Sequence, residues 1–312
     1  MSRTISAVIP TYNRARFICE AIDSVLAQSV PVSEIVVVDD GSTDQTAELI
    51  KSYGDRVRYI YQQNRGPGAA RNRGVAEARC DWVALLDSDD LWMVDKVRLQ
   101  SEFLDQNPEI DFVFGDMANF SAENPNFEPE IKNAKMHDYL VSNAGYLEKM
   151  LDCLIIENVV PTPTIMFRRA CAGRIGTFDE GLRIAEDLDY WLRAALTCRW
   201  GFVPVVLARR RRHETNLINN WVQMMDALSR VLQRLVPIEL PPETRRLLGK
   251  KLFDTHYDLG SRCLRQKEFG QAYEYLRREV NSESKNWRWY VKFALASLLN
   301  RGSGRSARVL AS

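Results

Sequence analysis

Three carboxylates fall within four positions at Asp87-Ser88-Asp89-Asp90, directly after the apolar run Trp82-Val83-Ala84-Leu85-Leu86. Gathered carboxylates repel one another and lose hydration, and a cation among them relieves both costs. Aspartate and serine offer hard oxygen donors, which suit Mg2+ or Mn2+ far better than zinc. The same residues also fit a polar turn without metal, in which Asp90 caps a helix over Trp92–Gln106. A second acidic pair, Glu186-Asp187, stands where an amphipathic run begins. The helix dipole alone favours acids there, so the position by itself requires no chemistry. Arg209–Arg212 lead directly into His213. Such a run reads as a solvated charge cluster, or as a patch for phosphates or anionic lipid. A lone histidine is more often structural than a ligand.

These residues need elements to position them. Ile5–Ile9 is a short β-rich run closed by Pro10, and Ile35–Val38, Val57–Tyr61 and Trp82–Leu86 are further strands. Helical spacing fills the intervals at Ala15–Ala27, from Thr43 or Asp44 to Tyr53, and at Gly68–Ala78. Strands alternating with helices mean βαβ units and a mostly parallel sheet. Polar groups recur just past the strand ends: Thr11-Tyr12-Asn13, Asp39-Asp40, Asn64-Arg65-Gly66 and Asp87-Ser88-Asp89. All four therefore converge on the carboxyl edge of the sheet, where open α/β sheets bind ligands. No G-x-G-x-x-G follows the first strand and no Walker A motif occurs, which excludes the common dinucleotide and P-loop sites. The glycine-rich Asn64–Asn72 could approach a phosphate or sugar closely, or could simply be a turn and helix start.

Further on, Phe112–Gly115, Thr164–Arg169 and Phe202–Leu207 read as strands, and Asn119–Lys135 as a mobile surface loop. From about Asn219 the pattern is helical, broken at Pro237–Pro242. Leu259-Gly260, Gly270, Ala272 and Leu276 fall at spacings reminiscent of one tetratricopeptide-like hairpin. The expected division is therefore an α/β domain over 1–216 and a helical region over 217–312. Trp287–Arg305 mixes aromatics, cations and a short apolar segment, fitting either a core helix or an interfacial one.

The 312 residues carry a formal net charge of +1, so no global field for nucleic acid exists. Six cysteines show no CxxC pair or metal spacing, as expected of reduced thiols in a cytoplasmic protein. No signal-peptide run opens the chain, and no stretch reaches the roughly 20 apolar residues that span a bilayer. The expectation is a soluble protein, at most peripheral at the inner face of the membrane.

Pro10-Thr11-Tyr12-Asn13, Val38-Asp39-Asp40-Gly41-Ser42-Thr43-Asp44, Ala70-Arg71-Asn72 and Leu86-Asp87-Ser88-Asp89-Asp90 share order and context with family-2 glycosyltransferases of the GT-A fold. The resemblance covers about residues 4–120, and Asp87-Ser88-Asp89 is similar to the D-x-D motif of these enzymes. It implies a Rossmann-like sheet flanked by helices, a UDP-, GDP- or dTDP-sugar donor, inversion at the anomeric carbon, and Mn2+ or Mg2+. Asp89 is the expected metal ligand, and Asp87 would reach the donor ribose or a metal-bound water. Asp40 would accept from the base N–H and Tyr12 would border the base. Pro10, Asn13, Arg71 and Ser88 complete the expected donor-binding set. Similar enzymes carry a Glu-Asp pair before a Trp-containing helix, whose aspartate is the catalytic base; that residue here is Asp187. Arg-x-His-x-x-Asn, from Arg211 to Asn216, resembles a segment after the last core strand, making His213 a second metal ligand.

Many such enzymes build cell-surface glycans, so the acceptor is expected to be a glycan or lipid-linked. A sugar-nucleotide pyrophosphorylase would instead carry a glycine-rich basic signature after the first strand, and Pro10-Thr11-Tyr12-Asn13 is not one. A catalytically decayed domain acting as a scaffold through its helical tail is the remaining rival. Asp40, Asp87, Asp89 and Asp187 standing together weigh against it.

Overall fold

The computed structural model describes residues 3–120, 128–129, 134–212, 221–279 and 287–309. Two compact units divide the chain, Met1–Asn216 and Leu217–Ser312.

The first unit opens with β1 (Ile5–Thr11), α1 (Ile18–Leu26), β2 (Glu34–Asp39), α2 (Thr46–Lys51), β3 (Arg58–Tyr61), α3 (Pro67–Glu77) and β4 (Trp82–Leu85). β1 and β4 are buried throughout, as strands covered on both faces must be. β1 lies between β2 and β4, and all of β1 to β4 run parallel. α1 buries Ile18, Ala21, Ile22 and Val25, an i, i+3, i+4, i+7 stripe. Each large aliphatic side chain so buried contributes about 1.5–3 kcal/mol.

β1 does not stop at Pro10 but runs through Thr11. The Val8 carbonyl accepts from Leu86 N–H on the β4 side. Pro10, two residues on, faces that same side, where β4 has already ended, so its missing N–H strands no ladder partner.

Next come β5 (Leu91–Trp92), α4 (Lys96–Gln106), β6 (Phe112–Phe120), β7 (Glu128–Pro129), α5 (Ala134–Ser142), α6 (Met150–Ile156), β8 (Met166–Arg168), α7 (Ala172–Ile175), α8 (Glu186–Ala195) and β9 (Trp200–Arg211). The expected helix from Trp92 begins only at Lys96, because Leu91 and Trp92 pair with β9 instead. Asp90 therefore caps no helix. Residues 119 and 120 belong to β6 and Ala134 to α5, while most of the expected surface loop lies outside the described residues.

The strand order is β3-β2-β1-β4-β8-β6-β9-β5, with β7 on β6. β8 runs antiparallel to both β4 and β6, and β6 and β9 are parallel. That single reversal points β6 and β9 the same way as β1, β2 and β4. Their carboxyl ends consequently share one edge.

The second unit holds α9 (Trp221–Gln233), α10 (Pro242–Arg265), α11 (Phe269–Arg277) and α12 (Trp287–Val309). Phe253, Cys263, Ala272, Leu276, Trp289 and Ala296 form its core. Gly260 lets α10 approach α11, since a Cβ there would lie 2.6 Å from Leu276 Cγ. Trp289 is a core residue, whereas Tyr290, Val291, Leu295 and Leu298 on α12 are exposed.

Candidate active site

β4 ends at Leu85 and the chain turns at once, the Asp90 N–H donating to the Asp87 carbonyl at 3.0 Å. Asp90 Oδ1 accepts from the Arg211 N–H at 3.0 Å, which pins the aspartate turn to the end of β9. Burial, and then the charges of Asp89 and Asp87, push the buried Asp90 carboxyl well above the usual carboxylate range. Gathering three carboxylates thus raises the cost of the charge on Asp90, a cost that a bound cation would relieve.

Asp89 Oδ2 accepts from Arg14 Nε at 3.1 Å, and Asp87 Oδ1 accepts from Arg71 Nη2 at 2.9 Å. Ser88 is buried between them. The oxygen donors fit Mg2+ or Mn2+, ions that accept one or two protein carboxylates and take their other ligands from substrate and water.

Arg71 reaches this turn from α3. Gly74, one turn later, allows α3 to lie on the sheet, since a Cβ there would come within 2.2 Å of Val8 Cγ1. The Arg71 side chain is only 7% exposed, so its charge requires partners. It has two: Asp87, and Glu186 Oε1 at 2.5 Å from Nη1. Burial works against its charge, but Asp87, then Glu186 and Asp187, outweigh it and raise the Arg71 pKa. Burial likewise raises Glu186, with Arg71 opposing.

Glu186 and Asp187 open α8. Ala185 before them has φ +62°, a left-handed conformation unusual for alanine, and it swings the chain into the helix. Asp187 is half-buried, and its Oδ2 accepts from Asn158 Nδ2 and Thr162 Oγ1, each at 3.3 Å. Its Oδ1 accepts from the Leu188 N–H at 2.7 Å.

A neighbouring group forms at the ends of β1 and β2. Tyr12 is 44% exposed. Asn13, with φ +51°, accepts the Thr43 N–H on Oδ1 at 2.8 Å and donates its own N–H to Ser42 Oγ at 2.9 Å. It thereby staples two loops together. Asp40 is buried and accepts from Gln62 Nε2 at 2.7 Å, Arg65 N–H at 2.9 Å and Gly66 N–H at 2.8 Å. This carboxylate first holds the 62–66 turn. Gly66 takes φ +97°, and a Cβ there would lie 2.5 Å from Arg183 Nη1. Pro10 is buried within β1.

The arginine run is not a solvated charge cluster. Arg209, Arg210 and Arg211 lie on β9, half-buried. Arg211 Nε donates to the Asp89 carbonyl at 3.3 Å and Nη2 to Glu20 at 2.7 Å, while Arg212 Nε donates to Asn119 Oδ1 at 2.9 Å. Strand pairing brings these cations against the acidic turn. His213 lies outside the described residues.

Arg71 thus ties Asp87 to Glu186, with Ser88 and Asp89 next to the one and Asp187 next to the other in the chain, and Tyr12, Asn13 and Asp40 stand on the loops at the ends of β1 and β2. Sequence reasoning missed Arg14, Asn158 and Thr162 as members of this network, and it picked out Glu186 beside Asp187 without a role of its own. Arg14 follows Pro10-Thr11-Tyr12-Asn13 directly and was there to be found; Asn158 and Thr162 sit in an aperiodic stretch without any signal.

Solved structures share the fold. Staphylococcus aureus TarS in complex with UDP-GlcNAc matches with a TM-score of 0.68 at 22% identity, covering 88% of this chain and 79% of that one. A Pyrobaculum calidifontis mannosyltransferase in complex with GDP-Man and Mn2+ matches with a TM-score of 0.61 at 16% identity, over 98% and 87% of the two chains. A glycosyltransferase of Rickettsia typhi is 31% identical over 248 residues, 77% of this chain and 74% of its own. The succinoglycan biosynthesis protein ExoO of Rhizobium meliloti is 35% identical over 197 residues, 62% and 56% of the two. A longer Rickettsia felis glycosyltransferase is spanned over only 33% of its length. The family model for glycosyl transferase family 2 matches residues 6–174, more than half of the sequence, and the chain belongs to that family.

Proposed function

We propose that this chain transfers a sugar from a nucleoside-diphosphate sugar to an acceptor hydroxyl by a metal-assisted single displacement with inversion. One observation carries the reading: the Arg71 guanidinium bonds both Asp87 of the acidic turn and Glu186, the neighbour of Asp187. Two acidic motifs about a hundred residues apart are thereby held in one network at the carboxyl edge of the sheet.

Asp89, with His213 as second ligand, would hold Mn2+ or Mg2+, and such an ion when bound neutralises the charge of the departing diphosphate as a Lewis acid. Asp187 takes the acceptor proton, its carboxylate oriented by Asn158 and Thr162. Asp87 accepts from the donor ribose while Arg71 Nη2 holds its Oδ1. Tyr12 borders the base, Ser88 and Pro10 shape the floor of the donor site, and Asn13 braces its loops. Asp40 holds the 62–66 turn and turns its remaining acceptor capacity to the base N–H.

The complexes of the two structural neighbours with UDP-GlcNAc and with GDP-Man and Mn2+ support a nucleotide-sugar donor and a divalent ion. The similarity to a succinoglycan biosynthesis protein supports a role in surface polysaccharide synthesis, with a glycan or lipid-linked acceptor. No helix among the described residues is long and apolar enough to cross a membrane. The exposed Tyr290, Val291, Leu295 and Leu298 support a peripheral contact with the inner membrane face. The deciding experiment is a donor screen across UDP-, GDP- and dTDP-sugars, following hydrolysis and thermal shift with and without Mn2+. Selective stabilisation and turnover by one nucleotide class, lost on chelation, is expected; indifference to every donor overturns the reading.

A further inference from the structure

At the amino edge of the sheet, opposite the acidic turn, the fold brings together two cysteines that the sequence keeps far apart. Cys171 follows β8 and Cys198 lies between α8 and β9. Their sulfurs and a carboxylate oxygen of Asp111 all lie within 4.8 Å of one another. Arg174 Nη2 donates to Cys171 Sγ at 3.1 Å, to Cys198 Sγ at 3.7 Å and to Asp111 Oδ2 at 3.4 Å. We infer that Cys171 and Cys198 are a thiol–disulfide exchange site, forming a reversible disulfide with one another by reaction with low-molecular-weight disulfides.

The cluster suits exchange better than metal binding. Its centre already holds a cation, the guanidinium of Arg174. Asp111 is also committed elsewhere, accepting the Arg199 N–H at 3.2 Å and pairing with Arg168 Nε at 3.5 Å. Two sulfurs and one spent carboxylate fall short of the four ligands of a structural zinc site. A thiolate beside a guanidinium is instead the ordinary arrangement of a reactive cysteine. The Cys171 thiol donates to Cys198, and that hydrogen bond, with help from Thr197 and Arg174, brings Cys198 down to about 6 against burial. Cys171 is raised correspondingly and stays protonated. Cys198 is the more accessible of the two, 9% exposed against 1%, and the Arg174 side chain above the pair is 56% exposed.

The Cys198 thiolate attacks a disulfide RS–SR, forming a Cys198–S–S–R bond and expelling RS⁻. Cys171 then gives its proton to a thiolate or to water and attacks the Cys198 sulfur, expelling the second RS⁻. Two protein thiols are oxidised and one small disulfide is reduced to two thiols. Closing the bond shortens the sulfur separation to about 2.05 Å. It also tethers the far end of α8, whose first turn carries Glu186 and Asp187.

The test uses the reduced full chain equilibrated with graded ratios of glutathione disulfide to glutathione, acid-quenched, blocked with N-ethylmaleimide and digested. Loss of two thiols with recovery of a Cys171–Cys198 linked peptide, reversed by dithiothreitol, is expected. In Cys171→Ser the mixed disulfide with glutathione should accumulate on Cys198. Alkylation of Cys198 by iodoacetamide should show a pH midpoint near 6 in the wild type. Arg174→Ala should move that midpoint up, toward the roughly 8.5 of a free thiol. Full blocking of both cysteines by N-ethylmaleimide at every ratio overturns the inference. So does one equivalent of zinc retained on the pair by the protein as purified.

Discussion

The two units of this chain each bury an acid–base cluster, yet only one has the makings of a site. In the first, Arg71 is buried between Asp87 and Glu186, while Asp87 and Asp89 remain 28% and 17% exposed. In the second, Ser229 Oγ lies 2.5 Å from His256 Nε2, and His256 Nδ1 lies 2.5 Å from Glu279 Oε1. That serine–histidine–carboxylate line has the hydrogen bonds of a hydrolase triad. However, Ser229 is 0% and His256 2% exposed, and both ring nitrogens are occupied. Its polar atoms satisfy one another, and no substrate carbonyl can reach the hydroxyl. Residue types and distances therefore do not make a site; reachable acceptor capacity does.

The comparison is most strongly tested at the acidic turn. Asp89→Ala should abolish Mn2+- or Mg2+-dependent donor binding, measured by calorimetry, with the fold intact by circular dichroism; full activity of the variant in EDTA would refute its role. Asp187→Asn should leave donor binding unchanged and lower transfer about 10²–10⁴-fold, the usual range for loss of a general base. A parallel loss of donor binding would reassign Asp187 to the donor site or to structure.

Arg71→Met leaves Asp87 and Glu186 without their buried counter-charge. Breaking such a pair costs about 3–5 kcal/mol, so denaturant melts should show a marked loss of stability. A melt like that of the wild type would mean that the two carboxylates find other partners. In the helical unit, His256→Ala should cost about 1–3 kcal/mol for the polar groups it strands and leave transfer unchanged. Labelling of Ser229 by a fluorophosphonate probe would break the comparison outright. The smallest effect is expected at the membrane. Lys292 Nζ is already bonded to Ser261 Oγ at 2.6 Å, so the stripe on α12 depends mainly on its apolar side chains. Flotation on anionic vesicles should be weak, little affected by salt and lost in Val291→Glu/Leu298→Glu; equal flotation of that variant would exclude the stripe.

Much of the first unit was legible because periodicity and turn chemistry are local properties. Five consecutive apolar residues ending in Asp87, with helices between successive strands, dictate a buried strand and a carboxyl edge wherever the rest of the chain goes. The motifs Pro10–Asn13, Asp39–Asp44 and Asp87–Asp90 follow from that local grammar, and so does the helix carrying Glu186-Asp187. Long-range pairing decided the remainder. Trp92 became strand rather than helix because β9 offered it a partner, and the same strand turned Arg209–Arg211 from a solvent-facing run into the cationic flank of the aspartate turn. Asp40 and Asn13 looked like direct donor ligands, but nearby backbone N–H groups claim much of their acceptor capacity. Arg71 could equally have made a surface salt bridge; only the approach of α3, permitted at Gly74, sank it between two carboxylates. Cys171 and Cys198, without any spacing motif, met because two loops end at one sheet edge. Local propensity determines what each segment is, whereas which side chains share a dielectric and a hydrogen bond depends on contacts between residues distant in the chain.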